Sequence, residues 1–320
     1  MKKLFTLLSL AAMLFAANTT KAQDPGFTQF YANPLYLNPA MAGSNICPRV
    51  CLNYRNQWPA ISGNYVTTSA SVDKFAYKLK GGIGVMAYND RAGQGTINTN
   101  SFSVIYAYQL KVTRKFTMNF GFQASYFQKN IDWSKLTFGD MIDDQRGFVY
   151  NTREVPTVTK KEFADFDAGI VGFTKRVYGG IAAHHLTQPE EGFIGSSRLP
   201  VKVTAHAGMI IPLKKSKTGD VSISPNILFQ QQGKFNQLDL GMYVNYGPVI
   251  GGLWYRNNDS FIALVGLHKG MFKFAYSYDI TVSKLTNATA GSHELSLCMM
   301  FRCKKPHTIH KPVSCPNFNF

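Results

Sequence analysis

Along most of this chain, apolar and polar residues alternate at a spacing of two. Residues 271–280 show it most cleanly. Phe272, Phe274, Tyr276, Tyr278 and Ile280 fall on one side, and Lys273, Ala275, Ser277 and Asp279 on the other. A two-residue period marks a β-strand with two unlike faces. The pattern recurs where Leu238, Leu240, Met242, Val244 and Tyr246 oppose Asp239, Gly241, Tyr243 and Asn245. Phe102, Val104, Tyr106, Tyr108 and Leu110 oppose Ser103, Ala107 and Gln109. Phe116, Met118, Phe120 and Phe122 oppose Thr117, Asn119, Gly121 and Gln123. The stretch from His293 to Phe301 alternates again and ends on an aromatic residue. Large apolar faces repeated this often exceed what a small soluble core needs.

Turn residues divide the pattern into fourteen predicted strands: 48–57, 64–76, 81–89, 99–110, 116–128, 163–174, 176–186, 200–211, 219–231, 235–246, 248–256, 259–268, 271–280 and 291–302. Most have the length that a tilted strand needs to cross an outer membrane. An even number returns both chain ends to one side, and closure removes the exposed sheet edges. The expected fold is all-β: a closed transmembrane antiparallel β-barrel of about fourteen strands. Pro225, inside a strand, predicts a bulge or a bend. The longest irregular segment, 129–162, falls on the side away from the termini.

The front of the chain breaks the pattern. Met1-Lys2-Lys3, an apolar run from Leu4 to Ala17, and Thr20-Lys21-Ala22 make a secretory signal, with cleavage expected between Ala22 and Gln23. The run is too short to span a bilayer as a helix, and the absence of Cys after the cut argues against a lipid anchor. The resulting division is a signal peptide (1–22), an N-terminal segment (23–47), the barrel (48–302) and a C-terminal periplasmic tail (303–320). An aromatic content of 13%, 27 glycines and a charged fraction of 16% suit a barrel whose membrane signal lies in alternation.

The net charge is +16, or +13 once Lys2, Lys3 and Lys21 are removed. Such a basic chain invites a nucleic-acid reading, but export and the lack of a recognition motif argue against that partner. Threading the strands puts the charge at one end. Its short connections carry Lys78, Lys80, Lys111, Arg114, Lys115, Lys175, Arg176, Lys214, Lys215, Lys217 and Lys269, and the tail adds Arg302, Lys304, Lys305 and Lys311. Those segments contain no Asp or Glu. The opposite loops hold Asp90, Asp132, Asp140, Asp143, Asp144, Glu154, Glu162, Glu190, Glu191 and Asp259. The expectation is a barrel basic below and acidic above, whose basic face steers an acidic partner. Lys111, Arg114, Lys115, Lys214, Lys215, Lys217, Lys304 and Lys305 are its candidate contact residues.

Five cysteines remain to be placed. The first and last strands of a closed barrel are neighbours, which brings Cys47 close to the end bearing Cys303. Cys303–Cys315, Cys47–Cys303 and Cys47–Cys315 all stay open as pairings. Cys303, His307, His310 and Cys315 offer donors that zinc accepts, but not at the spacing of a common zinc unit, so no metal is expected. His184 and His185 are expected to point to opposite faces of a strand. No Gly-x-Ser-x-Gly elbow or complete HExxH motif is present, and the Gly81-Gly82-Ile83-Gly84 run precedes no helix. Neither an enzymatic activity nor a cofactor is expected. Arg55, Lys202, Asp239, Lys273 and Asp279, on inward faces, fit either a pore lining or a closed set of polar contacts.

The segment from Gln23 to Gly43, QDPGFTQFYANPLYLNPAMAG, answers to no catalytic logic. Together with Arg55-Asn56-Gln57-Trp58, Asn89-Asp90-Arg91-Ala92-Gly93, the stretch from Tyr178 to Pro189, Gly251-Gly252-Leu253-Trp254-Tyr255-Arg256, Tyr276-Ser277-Tyr278-Asp279-Ile280-Thr281 and the stretch from Gly291 to Leu297, it resembles the PorP/SprF family. The order of these pieces carries the resemblance. It implies an outer-membrane protein of type IX secretion, tied to surface adhesins and, in some bacteria, to gliding. The implied partners are periplasmic or outer-membrane secretion components, the C-terminal sorting domain of a secreted adhesin, and membrane lipids. The competing expectation is a fatty-acid-porin-like channel for small solutes.

Overall fold

The protein's structure, a computed structural model, describes residues 24–143, 145–153, 158–193, 195–214, 221–282, 290–303 and 314–315. The wall begins with β1 (Arg49–Gln57), β2 (Tyr65–Ala76), β3 (Gly81–Ala92), β4 (Ile97–Lys111) and β5 (Thr117–Ile131). A small outlying hairpin, β6 (Ile142–Asp143) and β7 (Gly147–Phe148), stands apart from it. The wall resumes with β8 (Lys160–Phe173), β9 (Val177–His184), β10 (Lys202–Met209) and its continuation β11 (Ile211–Lys214). It ends with β12 (Val221–Gln232), β13 (Phe235–Tyr246), β14 (Val249–Arg256), β15 (Ser260–Lys269), β16 (Phe272–Thr281) and β17 (Ser292–Met300). Every pairing is antiparallel, and β1 meets β17 from Arg49↔Met300 to Gln57↔Ser292. With β10 and β11 sharing one position against β12, the result is a closed barrel of fourteen strands.

The alternation maps onto the two faces as expected. Phe122, Leu253, Phe261 and Phe274 point outward, Leu253 at 70% exposure, where acyl chains cover them. Ser69, Ser103, Asn119, Gln123 and Ser277 point inward and are buried. Pro225 behaves differently from the expectation. The β12–β13 ladder passes through Pro225↔Met242 without a shift. The discontinuity lies on the neighbouring strand: Gly208 pairs with Asn226 and Ile211 with Ile223, so β10 gives way to β11 beside the proline. A residue without an N–H sits where the ladder is already interrupted.

One end of the barrel carries Arg49, Met300 and the short turns 77–80, 112–116, 174–176, 247–248 and 270–271. The other carries the longer connections 58–64, 132–159, 185–201 and 282–291. They are called here the terminal end and the loop end. In outer-membrane barrels short turns face the periplasm and long loops the outside.

Candidate functional site

The lumen is occupied. Residues from Phe27 to Ser44, among which Tyr36 is half-buried, together with Ile46, fill the barrel as a plug. From Asp24 near the loop end, whose N–H donates to Gln232 Oε1 at 3.0 Å, the segment descends to the terminal end to enter β1. Two Asn-Pro pairs shape the descent. Pro34 opens a single helical turn, Pro34–Leu37. Asn38 then caps a 3-10 turn, Pro39–Met41, by accepting from Ala40 N at 2.9 Å. Short turns separated by prolines have no period for a pattern search to find.

The wall holds the plug by backbone and side chain alike. The carboxylate of Glu294 accepts from the consecutive amides of Thr28 (2.6 Å) and Gln29 (2.9 Å). Arg55 braces that carboxylate at 3.1 Å and reaches Asp279 at 2.9 Å. Arg256 adds a second guanidinium, 3.2 Å from Asp279 and 3.4 Å from Asp239. The Thr28 hydroxyl donates to Asp279 at 2.8 Å and also meets Arg55. Buried charges survive only when paired and hydrogen-bonded, and here the plug completes the pairing. Lower down, Asp73 accepts from Gly43 N at 2.8 Å and from Arg49 Nε at 2.8 Å. Thus Arg55, Asp239 and Asp279 form a closed polar set and not the lining of an open pore.

Glycines let the two backbones touch. A Cβ on Gly121 would lie 2.1 Å from Ala40 N, one on Gly82 2.0 Å from Ala42 O, and one on Gly169 2.1 Å from Asn38 Oδ1. Any side chain at these inward positions would displace the plug. Aromatic packing fixes the middle. Phe30 meets Trp254 edge-on at 4.8 Å, and Tyr31 meets Tyr178 at 5.8 Å and Tyr243 at 6.3 Å.

At the loop end, His185 fastens the start of the plug. It follows the last residue of β9 with φ +59°, so the chain leaves the strand there. His184 and His185 consequently do not take opposite faces. His184 Nδ1 lies 3.5 Å from Asp167, and the His185 backbone N–H donates to the same carboxylate at 2.9 Å. The His185 ring spans Asp165 (2.5 Å) and Asp24 (2.8 Å). Burial alone would lower its pKa, but the two carboxylates raise it to about 10. Burial would likewise raise Asp24, yet His185 and Lys202 hold it well below the usual carboxylate range. Asp165, Asp167 and His185 are close enough to grip a cation, but both ring nitrogens are already engaged.

Lys111, Arg114 and Lys115 are exposed in the terminal-end turn after β4. Lys78, Lys80, Lys175, Arg176, Lys269 and Arg302 are exposed at the same end. Lys214 closes β11. Lys215, Lys217, Lys304 and Lys305 lie outside the described residues, as do Ala22, Gln23, His307 and His310. So does Asp220. Among the described residues the loop end is mixed in charge, because bases answer its acids: Lys129–Glu191 at 2.8 Å, Lys160–Glu162 at 2.6 Å and Lys135–Asp132 at 3.8 Å. The acid count alone had hidden those bases.

Two disulfides staple the seam between β1 and β17: Cys47–Cys303 and Cys51–Cys298. The second pair sits directly opposite in register, a juxtaposition the sequence analysis missed. Cys315 is a free, buried thiol whose backbone N–H donates to Ser44 O at 3.2 Å, so this part of the tail lies against the plug.

Residues 19–299 match the family described as "Type IX secretion system membrane protein PorP/SprF". The chain belongs to the PorP/SprF family. As a PorP/SprF barrel it is an outer-membrane component of type IX secretion. No curated protein matches it. Among solved structures it is similar to the outer membrane protein Omp33 of Acinetobacter baumannii, at 8% identity and TM-score 0.46, over 81% of this chain and 100% of that one. A FadL homologue of Pseudomonas aeruginosa matches at 12% identity and TM-score 0.43, over 83% and 93%. A KdgM porin matches at 8% identity and TM-score 0.38, over 79% and 99%.

Proposed function

We propose that this PorP/SprF barrel acts as a non-enzymatic docking component that aids export or surface attachment of an adhesin-type cargo. The observation that supports it is the plug. A lumen filled from Phe27 to Ser44 and pinned by Glu294 and Asp73 suits a closed scaffold better than a conduit. The fatty-acid-porin-like alternative requires the plug to leave.

On this reading the loop end meets cargo through its C-terminal sorting domain, the outward apolar face meets lipid, and the basic terminal end meets an acidic periplasmic component of the machinery. Exposed Lys111, Arg114 and Lys115, together with Lys214, Lys215, Lys217, Lys304 and Lys305 from another connection and the tail, would supply the electrostatic steering. Deleting the gene tests the cargo role: surface display of an adhesin should disappear and return on complementation. Unchanged display would overturn it. Reversing Lys111, Arg114 and Lys115 to Glu should weaken co-purification of the periplasmic partner and make it sensitive to salt. Unchanged co-purification would remove the terminal-end contact while leaving the cargo role standing.

A further inference from the structure

Above the plug the barrel opens into a cavity of about 820 Å³, within the size range of small-ligand sites. Asp24 to Phe27 form its floor. Strand order sets two unlike walls against each other. The end of β1, with β2, β3, β5 and β8, supplies Trp58, Tyr65, Tyr88, Phe127 and Phe163. Roughly half a circuit away, β12, β13 and the turn after β14 supply Gln230, Asn236, Gln237, Asn257 and Asn258, with the ring of Phe235 among them.

A file of rings that passes through Tyr36 joins the floor to Tyr88, Phe127 and Phe163, while Trp58 and Tyr65 form a separate pair at 5.9 Å. Ring centroids run Phe27–Tyr36 at 5.1 Å, Tyr36–Tyr88 at 5.8 Å, Tyr88–Phe127 at 6.1 Å and Phe127–Phe163 at 5.1 Å. Charges around the cavity are largely matched within the protein. Lys129 meets Glu191 at 2.8 Å, Lys202 meets Asp24 at 3.5 Å, and Arg256 meets Asp259 at 3.2 Å. Asp90 accepts from the Thr67 hydroxyl at 2.6 Å.

These walls ask for a ligand with an apolar face on one side and neutral hydrogen-bonding groups on the other. A pyranose ring has both: axial C–H bonds that lie on an aromatic face, and equatorial hydroxyls that both donate and accept. Carboxamides also donate and accept, so they match neighbouring hydroxyls. Gln237 already donates to Asp239 at 2.8 Å, and an acyl chain would offer the other carboxamides no hydrogen bond. An anionic glycan would have to draw the lysines and arginines away from their carboxylates.

We infer that the loop-end vestibule binds a short neutral oligosaccharide, held between its aromatic and carboxamide walls. The inference does not rest on the export role. The test applies the full chain, purified in detergent, to an array of neutral and anionic glycans, followed by calorimetry with the neutral glycan retained best. A peptide array from secreted adhesins runs in parallel. The expected result is retention of neutral glycans about tenfold above anionic ones. Phe163→Ala and Gln230→Ala should each weaken affinity about tenfold, with the heat-modifiable gel mobility of the folded barrel unchanged. Four outcomes overturn the inference: retention of no neutral glycan, preference for anionic glycans, capture of peptides alone, or wild-type affinity in both variants.

Discussion

The clamp on the plug makes the sharpest prediction. Glu294 accepts from Thr28 N at 2.6 Å, Gln29 N at 2.9 Å and Arg55 Nη1 at 3.1 Å. In Glu294→Ala the two amides lose their acceptor, while Arg55 keeps Asp279 at 2.9 Å. Breaking a buried ionic set by removing one partner costs about 3–5 kcal/mol. Since about 1.4 kcal/mol is tenfold, the unseated population should rise by between roughly a hundredfold and a few thousandfold. Glu294→Gln keeps one oxygen acceptor but loses the charge, so its effect should be about half in free energy, near 2 kcal/mol.

Chymotrypsin reads the result directly, because Phe30 and Tyr31 are 4% and 3% exposed while the plug is seated. Cleavage there should be fast in Glu294→Ala, intermediate in Glu294→Gln and slow in the wild type. Planar-bilayer recordings should show intermittent conductance in the variants and a steadily open pore when residues 24–43 are deleted. Unchanged heat-modifiable mobility would show that the wall is still folded. Equal protease resistance in all three proteins would refute the clamp, and a deletion that stays closed would refute the plug.

Three further outcomes follow from the same geometry. Gly121→Ala should loosen the plug by about 1–3 kcal/mol of overpacking, since its Cβ would sit 2.1 Å from Ala40 N, whereas Gly63→Ala, with nothing within 4 Å, should be neutral in the same protease assay. Each disulfide should be visible as a mobility step on non-reducing gels. Cys51→Ser with Cys298→Ser should lower barrel stability by about 2–4 kcal/mol, and a Cys315→Ser variant that lost a step would show a different pairing. His185 has its pKa raised to about 10 in the folded protein, so its contribution is complete below its ordinary value of about 6.5 and is lost as pH climbs from there through 10. Chymotrypsin should therefore reach Phe27 more readily at pH 11 than at pH 6, and His185→Ala should flatten that difference.

The wall was legible because its physics repeats. A strand between lipid and a polar lumen must alternate, so residues 271–280 located Phe272–Thr281 and sorted Phe274 from Lys273. Strand ends that run past the membrane were less legible. β8 begins at Lys160, three residues before the predicted start, because a strand beyond the lipid no longer needs an apolar face. The plug was unreadable by periodicity, although its imprint was present in the sequence. Gly82, Gly121 and Gly169 are inward positions without a side chain, which signals a backbone close by. Cys51 and Cys298 needed the register of the closing ladder, and alternation fixes a face without fixing which residue stands opposite.

An empty lumen and a filled one make different demands on the wall, and this wall answers to the second. Ser, Thr, Asn and Gln on inward faces would tolerate water as readily as protein. Trp254, Tyr178, Tyr243, Leu228 and Ile250 would not. They form one buried apolar belt around Phe30 and Tyr31, and in a water-filled pore that belt would expose its area at about 25 cal/mol per Å². The charges make the same point. Glu294 and Asp73 aim at backbone amides of the plug, positions that bulk water would serve equally well at no cost in ordering a chain. A wall that invests both its apolar belt and its carboxylates in one segment has that segment as its resident partner. The adaptable surfaces of this barrel are therefore its two ends, and contacts with the secretion machinery should be sought there.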